Sequence, residues 1–198
     1  TTIAAAGDIN ASGAVKFGAN KSGTVTTSGD IDTSNDNVTF NRAVTFGANK
    51  SGTLTTAGEI TTTDDNVTFT NAVTQTGDVA IDTGSGAGNI LFKSTVATAD
   101  KNLSLDAGAS GNITLSGALT GGGALTVRDG KAQSYQALTV DSLNIQDATT
   151  SVTLGGVLTS AGAVNIDSGG TIALNAAASG TTFDIDATGT TTIAAAGD

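Results

Sequence analysis

Carboxylates gather in two stretches of this chain. Asp30, Asp32 and Asp36 stand with Asn35 and Asn37, and Asp64 and Asp65 stand with Asn66 in a second stretch of similar sequence. Calcium takes about six to eight oxygen ligands, so these five aspartates are the candidate metal ligands. Neither stretch carries the Asp-x-Asp-x-Asp-Gly loop with its distant Glu, and the glycine-rich nonapeptide of calcium-binding β-rolls is absent. Solvated turn caps are therefore the first reading and structural calcium the second. Asp184 and Asp186, spaced to share one strand face, raise a polysaccharide hydrolase or lyase, because paired carboxylates do that chemistry. Sugar subsites favour aromatic platforms, and one Tyr with no Trp supplies none. No residue is assigned a catalytic role, and the chain reads as a non-enzyme.

The segment RDGKAQSYQ, residues 128–136, breaks the pattern around it and holds the only Tyr. It reads as a protruding corner loop, and Arg128, Lys131 and Tyr135 are the candidates for a lateral contact with another chain or a glycan. The threonine pairs Thr24 with Thr26 and Thr53 with Thr55 raise an ice-binding row. They are short and mixed with Asp and Lys, which argues against a flat binding surface.

Composition narrows the remaining chemistry. The 198 residues include no Pro, Cys, Met, Trp or His. A thiol nucleophile, a disulfide framework, an imidazole base and a zinc site of the usual ligands are excluded, and no cofactor is expected. The net charge of −10 and eight scattered Lys and Arg disfavour nucleic acid and anionic membranes as partners. No apolar run reaches the roughly 18 to 20 residues of a membrane span. Of 18 acidic residues only Glu59 is a glutamate; with Thr, Val and Ile abundant, this points away from helix.

Two kinds of repeat organise the chain. TTIAAAGD at residues 1–8 recurs unchanged at 191–198. Residues 1–190 therefore read as one unit of a tandem array and 191–198 as the start of the next. Locally, FGANKSGTVTT at 17–27 returns as FGANKSGTLTT at 46–56, while NVTFTNAVT, NILFKSTVAT and NITLSGALT begin at 66, 89 and 112.

Apolar residues alternate within short runs: Val67 with Phe69, Leu103 with Leu105, Ile113 with Leu115, Leu125 with Val127, Val164 with Ile166, Ile172 with Leu174. Each pair marks a strand with one face inward. Strands this short and closely spaced suit a parallel β-helix, with about three strands per coil and about eight coils per 190-residue unit. The absence of Pro fits strands that all lie between neighbours.

The segments NITLSGALTGGGALTV at 112–127, VTLGGVLTSAGAVNID at 152–167 and NVTFTNAVTQTGDVAID at 66–82 resemble the repeats of large exported bacterial surface proteins of the filamentous-haemagglutinin-like adhesin type. The resemblance implies a right-handed β-helix shaft, secreted or held at the cell surface. The expected function is a structural repeat of a fibrous or adhesin-like protein. Expected partners are further copies of the unit end to end, laterally associated rods, and a glycan or host surface. A calcium-stabilised tandem β-sandwich adhesin is the alternative.

Overall fold

The computed structural model describes residues 58–194 with their side chains. Ahead of them it describes only the backbone of seven short strands between Thr2 and Phe46 and the first half of Leu54–Thr61. The architecture is all-β, with parallel strands stacked as a solenoid of about seven turns and no helix among the described residues.

One coil shows how the sequence makes the turn. Val67–Phe69 forms the first face. The chain then bends and runs as Val73–Asp82, a strand that rounds a corner and so supplies both remaining faces. It returns at Ile90–Phe92, directly beside Val67–Phe69 and in the same direction. The first face is a ten-stranded sheet from Thr2–Ile3 to Thr191–Ile193. The other two faces are joined in a single fourteen-stranded sheet because Leu54–Thr61 and Val73–Asp82 each span both. Every pairing is parallel, which overturns the β-sandwich alternative, since a sandwich is built from antiparallel hairpins.

The core consists of columns of equivalent residues. On the first face Val67, Ile90, Ile113, Gln133, Val152 and Ile172 are in register, as are Phe69, Phe92, Leu115, Tyr135, Leu154 and Leu174. All are buried. The rings of Phe69 and Phe92 stack with centroids 4.5 Å apart and planes 4° from parallel. On the third face Val79, Leu103, Leu125, Leu143 and Val164 continue the same logic. Burying each such side chain contributes roughly 1.5–3 kcal/mol, and each does so only against the coils above and below.

Corner side chains reinforce the stack. The Asn89 backbone and side-chain amides both donate to Asn66 Oδ1 at 2.8 Å, and the Asn112 amide donates to Asn89 Oδ1 at 2.8 Å. A second ladder runs from Asp78 to Asn102 and on to the Ala124 amide. The recurring Asn that opens each of the three similar segments is thus a bridge from one coil to the next.

Residues 128–136 correct the expectation of a protruding loop. They end the strand Ala124–Asp129 and contain all of Ala132–Tyr135, with a tight turn at Gly130 and Lys131 between them. Polar residues there occupy inward positions instead of forming an insertion, and the register passes unbroken from Ile113 to Gln133 to Val152.

Candidate functional site

The candidate calcium ligands separate. Asp30 and Asp36 lie outside the described residues, and of Asp32 only the backbone of its strand Ile31–Asp32 is described. Asp64 is exposed at a corner with φ of 59°, and its Oδ1 accepts from the Gly86 amide of the next coil at 2.5 Å. Asp65 is half-buried, and its carbonyl accepts from Thr62 Oγ1 at 2.6 Å. In Asp64, then, the carboxylate caps a turn. No group of three acidic side chains capable of holding a metal comes together among the described residues.

The lateral-contact trio is also divided. Arg128 and Lys131 are exposed, but Tyr135 is 0 % exposed and cannot form a lateral contact. Its place in the column between Leu115 and Leu154 turns the ring inward, and its hydroxyl donates to Gln133 Oε1 at 2.9 Å. Arg128 is the extra residue of a β-bulge, because Leu105 pairs with Val127 while Asp106 pairs with Asp129. It stands beside a shallow hollow lined by Asp78, Ala80, Asn102, Ser104 and Thr126. The small Ala80 and Ser104 leave this space on the outer sheet face.

A column of aspartates runs along one corner: Asp82, Asp106 and Asp129 are in register. Asp82 Oδ1 and Asp106 Oδ1 accept from the amides of Gly84 and Gly108, two residues on. The Oδ1 of Asp129 is buried without a hydrogen-bond partner. Burial, followed by the charge of Asp147, holds its carboxyl above the usual carboxylate range; Asp106 adds to this, and a hydrogen bond from Gly130 opposes it.

Asp184 and Asp186 share the outer face of Thr182–Ala187, as their spacing predicts, beside Asn165 and Asp167 of the preceding coil. Both are exposed on a regular strand. The threonine row falls where side chains are not described: Thr24 and Thr53 lie outside the described residues, and Thr26 and Thr55 are described by backbone alone.

In the last described coil Phe183 and Ile193 are exposed at positions that are buried one coil earlier. No family model, curated protein or solved structure matches this chain.

Proposed function

We propose that this chain is a structural repeat of an extracellular fibrous or adhesin-like surface protein, in which stacked coils form a rigid rod, stalk or filament. The observation that carries the reading is the unbroken coil-on-coil register, from Val67 through Ile172 to Thr191, in which each coil meets only its neighbours. An architecture of this kind gains length by adding coils. A net charge of −10 keeps such rods soluble, and a chain without Cys forms no stray crosslinks in an oxidising exterior. Further copies of the unit in the same polypeptide extend the rod, rods associate laterally into fibres, and the assembly meets a glycan or a cell surface. The resemblance of residues 66–82, 112–127 and 152–167 to filamentous-haemagglutinin-like repeats supports reading it as a bacterial exported shaft.

The test is the mass and location of the native protein. Expected are a mature chain several times 19.1 kDa and immunogold label on thin rods at the surface of unpermeabilised cells. A mature chain of 19.1 kDa, or label confined to the cell interior, overturns the proposal.

A further inference from the structure

The outward column at the centre of the third face changes size along the rod. From coil to coil it reads Glu59, Ala80, Ser104, Thr126, Asn144. Three short side chains in succession, between a glutamate and an asparagine, leave a notch across the outside of the sheet, about 460 Å³ in its larger part. From Ala80 to Thr126 it covers two strand steps, roughly 10 Å. Its volume falls within the roughly 300–1,000 Å³ of small-molecule sites.

The β-bulge that inserts Arg128 places its side chain at this notch, where it lines both the larger hollow and a smaller one shared with Glu59, Asp82 and Asp106. The guanidinium makes no hydrogen bond or ion pair among the described residues. The hydroxyls of Ser104 and Thr126 make none either. Asp82 and Asp106 each commit one oxygen, Oδ1, to the amides of Gly84 and Gly108 and keep the other. The notch therefore presents unused donors and unused acceptors side by side.

The charges select the class of ligand. Glu59, Asp82 and Asp106 outnumber Arg128, so an anion meets a net negative field. A cation meets the guanidinium among those carboxylates, and no three acidic side chains come together to hold a metal among the described residues. A ligand that satisfies both kinds of group without a charge of its own is a polyol, whose hydroxyls donate to the carboxylates and accept from Arg128, Ser104 and Thr126. No aromatic ring lines the notch, so recognition falls to hydrogen bonds. Each site is then weak, and repeated units along one rod supply avidity.

We propose that the notch over Ala80, Ser104 and Thr126 binds an uncharged saccharide segment of a glycan. Arg128 donates to its oxygens, and Glu59, Asp82 and Asp106 accept from its hydroxyls. The proposal rests on the structural-repeat reading above and names the surface through which such a rod holds a glycan.

The test applies the full-length chain to a printed array of neutral, sialylated and sulfated oligosaccharides. Expected is binding confined to neutral ones. Ser104→Asn fills the notch with the side chain that the same column already carries at Asn144, and Arg128→Ala removes the guanidinium. Each is expected to weaken binding about tenfold or more while keeping the parent's β-sheet circular dichroism and melting temperature. An array on which no neutral oligosaccharide is bound overturns the proposal. So does a preference for sialylated or sulfated oligosaccharides, or binding that survives either substitution. A chain that images as a rod yet binds no neutral oligosaccharide defeats this inference alone, whereas a chain that forms no rod defeats the reading beneath it.

Discussion

The hydroxyl of Tyr135 donates to Oε1 of Gln133 at 2.9 Å, and Gln133 Nε2 donates in turn to the Asp147 carbonyl at 2.9 Å, so two polar side chains close a circuit inside an otherwise apolar stack. Both residues are buried, between coils that place Ile113 and Leu115 on one side and Val152 and Leu154 on the other. Tyr135→Phe leaves Gln133 Oε1 without its donor and is expected to cost about 1–2 kcal/mol in denaturant unfolding. Gln133→Leu strands the hydroxyl and the Asp147 carbonyl together and costs more. The double variant is expected to cost less than the sum of the singles, because removing both partners leaves fewer orphaned groups. Additive losses would show that the pair is not coupled.

The same burial governs alkaline stability. Burial pushes the Tyr135 phenol well above its ordinary value of 10.0, so the folded state holds the proton more tightly than the unfolded state. Its contribution is complete below that ordinary value and declines as pH rises beyond it, because only the unfolded chain then ionises. As this is the only Tyr, phenolate absorbance reports it alone. At about pH 11 the absorbance should appear only together with loss of β-sheet circular dichroism, and Tyr135→Phe should flatten the alkaline decline. Ordinary titration near 10 in a folded chain would contradict the buried position.

Asp129 gives the opposite handle, at acid pH. Its raised carboxyl means that the charged form weighs against the fold, a penalty complete above the folded-state value and absent below the ordinary 3.8. Asp129→Asn is expected to raise the melting temperature at pH 7, with the gain shrinking as pH falls toward 4. A lower melting temperature at pH 7 would show that the carboxylate makes a bond the fold needs.

Gly123 is a corner that leaves no room for a side chain. Its φ is +74°, and a Cβ there would run into the Lys101 carbonyl oxygen of the preceding coil, a backbone atom that cannot swing aside. Gly123→Ala is expected to cost more than about 2 kcal/mol. At Gly155 the nearest atom to such a Cβ is the Gln136 side-chain nitrogen at 3.4 Å, so Gly155→Ala should change stability by under about 0.5 kcal/mol. Equal effects at the two sites would argue against the close coil spacing at residue 123.

The parallel stack was legible because its physics is local and repeated. Leu103 with Leu105 and Ile113 with Leu115 alternate, and all four are buried; the Asn that opens three similar segments sets a step of 23 residues, and those asparagines bridge the coils. Residues 128–136 were misread because Gln133 and Tyr135 are polar at inward positions. Only a partner across the coil, which composition does not reveal, makes that acceptable. The later coils are also tighter: the step is 23 residues from Ile90 to Ile113 and 19 from Gln133 to Val152, and one of the residues lost lies where Leu138 follows Tyr135 after two residues while Leu119 follows Leu115 after three. The carboxylates misled in another way. Asp64 is spent on the Gly86 amide, and a capping aspartate and a metal-binding one look alike until the corner is built.

The central claim, a rod of parallel coils stacked along one axis, is tested most directly by cryo-electron microscopy of the purified chain. Expected is a rod with strands perpendicular to its long axis, an axial layer spacing of about 4.8 Å, and Val67, Ile90 and Ile113 superposed on successive layers. A globular particle with antiparallel hairpins, or a rod in which these three residues do not stack, would contradict it.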